Sequence, residues 1–294
     1  MLFLLACSGP MTNAFLLEDQ EYTNALPQRE QHRIPLSRGD STTSEIEALA
    51  DDFNQTFDGL LGWVDGVRAI PPTERGENSR VWGPHIADDT GDLYWRVSIE
   101  RTEPGRFAWE FEVRQGADGD WLSFFGGNYL AGFDASESQG SFTYDGDMLV
   151  AIDASDDGGT MTVEYDYIGE HELYAQLAQD GGAGEYWYRE EDGVSSAWFD
   201  IPSDVYSPDE DATSSALEDY AIAAQWLESG AGRQESRSAG GDLGELVVLY
   251  TECWDAVGEI VYAHYECAIC TEPAAGDAAD CVFAEGLDPT DPPD

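Results

Sequence analysis

Lysine is absent from this chain of 294 residues: all 13 basic residues are arginine, set against 60 Asp and Glu for a formal net charge of -47. A surface of that sign repels phosphate backbones and anionic headgroups, so nucleic acid is excluded as a partner. Catalytic signatures are missing as well, with no G-x-S-x-G, no P-loop, no dinucleotide-binding glycine fingerprint and no H-E-x-x-H. The four histidines, His32, His85, His171 and His264, are scattered without the spacing of a metal site. Acid pairs such as Glu190-Glu191 nominate no catalytic residue, because nearly any fold of so acidic a chain brings carboxylates together. These absences lean against an enzyme.

What is present is enough apolar material for a core. Hydrophobic residues make up 42% of the chain and aromatics 12%, which argues against disorder of the whole. The acid excess destabilises a compact state through self-repulsion, and salt relieves it, so adaptation to a saline setting is expected, with a melting temperature that rises as salt is added.

The chain opens Met1-Leu-Phe-Leu-Leu-Ala6-Cys7-Ser8, and Leu4-Leu5-Ala6-Cys7 resembles a bacterial lipobox. The basic n-region and longer apolar run of a signal peptide are missing, so residues 1–6 read as a remnant of one. The resemblance implies lipid on Cys7, attachment to a membrane through it, and, with Ser8 carrying no retention signal, a place at the outer membrane, on its periplasmic or its outer side. Residues 7–41, polar and containing Pro10, Pro27 and Pro35, read as a tether. Residues 42–283 read as a single acidic, β-rich domain, and 284–294, ending Asp288-Pro-Thr-Asp-Pro-Pro-Asp294, as a disordered tail.

Within the domain, Ser44 and Glu47 have capping-box spacing, and Ile46, Leu49, Ala50, Phe53, Phe57, Leu60 and Leu61 recur at helical intervals, which predicts a helix over 44–60. Strict alternation then takes over. Leu93, Trp95, Val97 and Ile99 alternate with polar neighbours, as do Phe107, Trp109, Phe111 and Val113. Opposed residues must share a face, so an odd loop around Glu103-Pro104-Gly105 pairs Ile99 with Trp109 and Trp95 with Val113. The same reasoning pairs Tyr165 with Leu173. Further strands are expected near 80–86, 120–125, 141–144, 148–152, 185–190, 195–200, 245–253 and 259–267. Ser215, Glu218, a stripe from Leu217 to Leu227 and Gly230 predict a second helix over 214–229, and 231–242 reads as a surface loop. The expected fold is mainly β (α+β): one antiparallel, curved meander sheet of about ten strands with two flanking helices.

With Cys7 spent on lipid, four cysteines remain near the C-terminus, and an even number in an exported chain argues for two disulfides. Residues 245–267 read as a hairpin with its turn at Asp255 to Gly258, which sets Cys253 and Cys267 about 20 Å apart, beyond the roughly 7 Å that a disulfide spans. Cys270 is nearly as constrained, so Cys253–Cys281 with Cys267–Cys270 fits best. A four-thiolate zinc site and a redox role for Cys267 and Cys270 are rivals, the first short of a second C-x-x-C pair and the second without a thioredoxin context.

Two constellations are candidates for binding. Asp153, Ser155, Asp157 and Glu164, with Gly158 at the sixth position, resemble an EF-hand calcium loop, although Thr160 and strand-like flanks depart from that pattern; no other cofactor is indicated. Tyr94, Tyr174 and Trp187 fall on nominally wet strand faces, and form an aromatic platform for a polymer unless a helix covers them. Three functional readings follow: a non-catalytic binding or structural lipoprotein of the cell envelope with a protein, polysaccharide or lipid partner; a carrier of lipid or another apolar ligand, similar to half-barrel lipoprotein carriers; or a carbohydrate-binding protein or hydrolase acting on envelope polymers. An apolar cavity favours the carrier, an exposed aromatic strip the sugar binder, and a cleft with perturbed carboxylates the hydrolase.

Overall fold

Alternating strands with short acidic turns predict a meander, and the computed structural model shows one. It describes residues 14–35, 45–87, 92–133, 137–152, 155, 158–169, 171–179, 182–204, 216–271 and 273–292; Cys7, Asp153, Asp157 and Ser215 lie outside them. Two helices, α1 (Ala14–Asn24) and α2 (Glu45–Arg68), precede the sheet. The first strands are β1 (Glu74–Arg75), β2 (Ser79–Ile86), β3 (Leu93–Glu103), β4 (Arg106–Gln115), β5 (Leu122–Ala131) and β6 (Ser138–Asp145). A short helix, α3 (Gly146–Ala151), leads to β7 (Thr160–Asp166), β8 (His171–Gln179), β9 (Gly182–Glu191) and β10 (Val194–Ser203). The last are β11 (Glu218–Leu227), β12 (Gly232–Gly240), β13 (Gly244–Trp254), β14 (Ile260–Glu266) and β15 (Ala275–Gly276). All fifteen form one open antiparallel sheet in which each strand pairs with its neighbours in sequence.

The predicted registers hold: Ile99 faces Trp109, Trp95 faces Val113 and Tyr165 faces Leu173. The odd residue required between β3 and β4 is a bulge at Thr102, which lets Pro104-Gly105 make the turn itself, with Gly105 at φ 76. One face of the sheet, here the inner face, carries Trp82, Val97, Trp109, Phe142, Val163 and Phe199 into a single core with Ile46, Phe53, Phe57, Leu61, Val64 and Val67 of α2. Phe53 meets Tyr186 of β9, Phe57 meets Phe142 of β6 and Trp63 meets Phe124 of β5, at ring separations of 4.9, 5.9 and 5.8 Å. Ten residues of helix, about 15 Å, thus cross four strand spacings of roughly 4.8 Å, so α2 lies across the strands.

Several expectations need correction. The helix predicted to end at 60 continues for two turns, because Val64 and Val67 extend its apolar stripe until Pro71 and Pro72 follow. The second predicted helix, 214–229, is strand β11 where it is described. Tyr220, Ile222, Ala224 and Trp226 face the core while Ala221 and Ala223 are buried on the other side, and a strand dry on both faces loses its alternation. The predicted loop 231–242 contains β12, paired on both edges; its inward positions are polar, Gln234 and Ser236, which hid its period. Residues 148–152, expected as a strand, belong mostly to α3, whose N-cap Asp145 accepts a hydrogen bond from the Met148 amide. These strands and the two-residue β1 and β15 raise the count from about ten to fifteen.

The expected tether is partly core. Tyr22, Ala25, Leu26, His32 and Ile34 are buried. Asp19 of α1 receives hydrogen bonds from Arg75 and Arg80, Glu21 pairs with Arg101, and Arg68 donates to the carbonyls of Leu26 and Pro27. Burial pushes the Asp19 carboxyl up, but the two guanidinium groups outweigh it and hold the group below the usual carboxylate range. Ionic docking of this kind leaves no apolar stripe in the sequence. The expected disordered tail is also placed: the Phe283 and Pro289 carbonyls accept from Arg233 and from the Trp198 indole, and Leu287 packs on Trp187 and Trp198. The disulfides are Cys253–Cys281 and Cys267–Cys270, with Cα atoms 5.4 and 5.1 Å apart.

Candidate functional site: an apolar cavity beneath helix α2

The stripe of α2 formed by Thr56, Gly59, Leu60 and Trp63 lies beside the one that fills the core, at the i, i+3, i+4, i+7 spacing that shares a helix face. Gly59 contributes no side chain, and the space its Cβ would occupy is open to 4 Å. Opposite it, a register shift between β4 and β5 turns both Phe124 and Phe125 into buried positions. The chain then leaves the sheet as α3, so Leu149, not a strand residue, closes one side. The result is a cavity of about 320 Å³ bounded by α2, β5, β6, α3, β7 and β8.

Its described lining is mostly apolar and carries no charge. Leu60, Phe124, Phe125, Leu149, Met161 and Leu177 supply the walls, and Thr56, Tyr144, Ser155 and Thr160 supply hydroxyl groups. Among the described residues no Asp, Glu, Arg or His lines it, in a chain of which 25% is charged. The rim is held by hydrogen bonds from the Gly146 amide to the Gly159 carbonyl at 2.7 Å and from the Gly159 amide to the Asp147 carboxylate at 2.6 Å. Trp63, 48% exposed, stands beside Phe124 at the edge. A pocket of this size and polarity falls at the small end of sites for organic ligands, with hydroxyls to orient a polar end and no nucleophile–base pair to act on it.

Of the described residues nominated from the sequence, Ser155 alone lines this cavity. Of the calcium loop, Ser155 lines this inner cavity, whereas Glu164 projects from the outer face of β7, where it lines a different groove. The two do not converge on one cation, and Asp153 and Asp157 are outside the described residues. Among the described residues no three His, Cys, Asp or Glu groups gather to hold a metal ion. The aromatic platform also divides. Tyr174 and Trp187 are cross-strand neighbours on the outer face, but Tyr94 lies on β3, where its ring faces the Arg114 guanidinium. Trp187 is only 6% exposed, in a cluster with Trp198 and Ala223 against which Tyr174 and Leu287 of the tail pack, and its indole donates to Glu172 at 2.7 Å. The cover expected from a helix comes from the tail.

The histidines are structural. His32 is enclosed by Tyr165, Phe142 and Phe57, with Nδ1 3.3 Å from the Tyr167 hydroxyl. Burial, with help from the Arg68 charge, lowers its pKa to about 3, so it is neutral. His85 packs on Trp95, His171 on Tyr167 and His264 on Tyr262, so the four share no site. Among carboxylates, Asp200 is pushed up by burial and then by Glu185 and Asp219, but it stands on the outer face, across the sheet from the cavity.

The cavity itself was missed by sequence reasoning. Its one signal is Gly59 inside an amphipathic helix, a position where glycine weakens the helix and a packing or functional reason is to be sought. No helix among the described residues is long and apolar enough to cross a membrane. Comparison with family models, with curated proteins and with solved structures finds no match to the chain.

Proposed function

We propose that the protein is a non-catalytic lipoprotein of the cell envelope that binds an apolar molecule in the cavity beneath α2. The observation that carries this reading is a cavity of about 320 Å³ whose described lining is uncharged, beside a core packed with aromatic side chains. The pocket opens to solvent between Gly59, Trp63 and Thr160, so a guest can enter without the core opening, and concave sites walled by apolar side chains with a few polar groups are where small organic ligands bind. Envelope location rests on the lipobox-like Leu4-Leu5-Ala6-Cys7, and the two disulfides suit an oxidising compartment. With α1 docked on the sheet, residues 8–13 are all that separate Cys7 from folded structure, a reach of at most about 20 Å. Lipid on Cys7 therefore holds the domain close to the outer-membrane surface, where apolar ligands partition.

The test uses the Cys7→Ser chain made in an oxidising compartment, titrated with the neutral fluorescent probe N-phenyl-1-naphthylamine and weighed by native mass spectrometry. One saturable probe site is expected. Gly59→Leu, which fills the cavity without backbone strain, lowers probe affinity at least tenfold while the melting temperature holds or rises. Unchanged probe binding by a folded Gly59→Leu chain overturns the assignment.

A further inference from the structure

The outer face of the sheet carries a second feature, independent of the cavity and on the opposite side. The antiparallel registers align Ala108, Asn128, Ser141, Glu164, Tyr174 and Trp187 in one row running across β4 to β9. Beside it Glu110, Gly126, Thr143, Thr162, Gln176 and Glu185 form a parallel row. The smallest side chains of both rows, Ala108, Gly126 and Ser141, fall together, and the sheet is hollowed there. Two grooves of about 680 and 580 Å³ open on this face and share Asn128 and Ser141, whose side chains bond to each other at 2.7 Å. They form one trough transverse to the strands, about 24 Å long at five strand spacings. Trp187, covered by the C-terminal tail, closes its β9 end.

The trough's chemistry selects its occupant. Its groups are planar amides, carboxylates and hydroxyls whose orientations are already fixed: Gln139 donates to Asp166, Gln176 to both Tyr174 and Glu185, and the Trp187 indole to Glu172. Their amide oxygens, carboxylates and hydroxyls retain acceptor capacity for a ligand hydroxyl. Among the described residues Glu100, Glu110, Asp145, Glu164, Asp166 and Glu172 line it against a single Arg106, so an anionic polymer is repelled. Carboxylates cover the whole molecule, so they do not single out this face for a polycation. What distinguishes it is the run of small side chains flanked by oriented amides and hydroxyls. We infer that the outer-face trough binds an extended, uncharged polysaccharide strand.

The test is calorimetric titration of the Cys7→Ser chain with cellohexaose, maltohexaose and chitohexaose, with polygalacturonate and polylysine as charged comparators. At least one neutral hexasaccharide is expected to bind with a Kd between micromolar and millimolar values. Ser141→Trp and Ala108→Gln fill the trough from the solvent side of the sheet, and whichever of them keeps the parent melting temperature loses at least tenfold in affinity. Gly59→Leu, on the other face, leaves saccharide affinity unchanged. The inference is overturned if none of the three hexasaccharides binds at 10 mM on the order of magnitude typical of weak ligands, if the folded trough variants bind as the parent does, or if polylysine alone binds.

Discussion

The sheet from β2 to β11 and its continuation through β12–β15 are built by the same pairing rule but held by different forces. Across the first part the inner face is dry, with Trp82, Trp109, Phe142 and Phe199 packed under α2. At β12 the inward positions become Gln234 and Ser236, and further on Val247, Leu249, Ile260 and Tyr265 are exposed. All four disulfide cysteines belong to this second part. Apolar burial supplies about 25 cal/mol per Å², and a strand with little of it cannot offset the ordering of its own backbone. The comparison teaches that covalent crosslinks lie where the core thins, at its margin beside Trp254 and the buried Cys253. Cys253–Cys281 also ties down the segment that crosses back over Trp198 and Trp187.

The largest expected effect breaks the first region. Phe57 is fully buried between Phe53, His32 and Phe142, so Phe57→Ala removes a ring from the centre of the core and costs about 3–5 kcal/mol in urea denaturation. Val247→Ala, at an exposed position of β13, stays within about 0.5 kcal/mol. Equal losses at the two sites would abolish the distinction between a region held by burial and one held by crosslinks.

Next in size is the crosslink itself. Replacing Cys253 and Cys281 together by Ser releases a loop of sequence separation 28, for which chain entropy predicts a loss of about 3.5 kcal/mol. Its local signature distinguishes it from a core lesion. The tail leaves Trp198 and Trp187, so tryptophan emission shifts to the red and quenching by acrylamide rises before global unfolding, whereas the probe site beneath α2 is retained. A double variant with tightly protected tryptophans would show that side-chain contacts hold the tail without the disulfide.

How much of this was legible follows the same division. Where one face is dry and the other wet, as in Trp95–Ile99 against Trp109–Val113, the period of two specified both strand and register. The disulfide pairing followed from hairpin geometry, since Cys253 faces Tyr262 and Cys267 lies beyond the far end of β14. Reading failed where burial was not one-sided. Ala221 and Ala223 of β11 are buried on the outer face, Ala223 in the cluster on which Leu287 packs, so an alanine-rich run looked helical. Polar inward residues concealed β12. The docking of residues 14–35 was invisible because Asp19, Glu21 and their arginine partners lie more than 50 positions apart in sequence. The cavity depends on what Gly59 lacks, and the covering of Trp187 depends on a tail whose composition signals disorder.

The smallest effect sharpens the comparison, because it falls on the covered region. His32 is 1% exposed and its pKa is lowered to about 3, first by burial and then by Arg68, from an unfolded value near 6.5. Above pH 6.5 neither state is protonated and the full stability is present. Below it the unfolded chain takes up a proton that the folded chain refuses until about pH 3, so stability falls with decreasing pH at about 1.4 kcal/mol per unit. Between pH 6.5 and 5 the loss is about 2 kcal/mol, in a window above the ordinary range of carboxylates. His32→Phe keeps an aromatic ring among Tyr165, Phe142 and Phe57 and removes the titration, so its stability should be nearly flat over that window. Hydrogen exchange locates the effect: acid should speed exchange in α2, β6 and β7 before β12 and β13, where the Cys253–Cys281 crosslink carries no proton dependence. Parallel pH profiles for the parent and His32→Phe would mean that the ring reaches water, and that the covered region opens more readily than its packing implies.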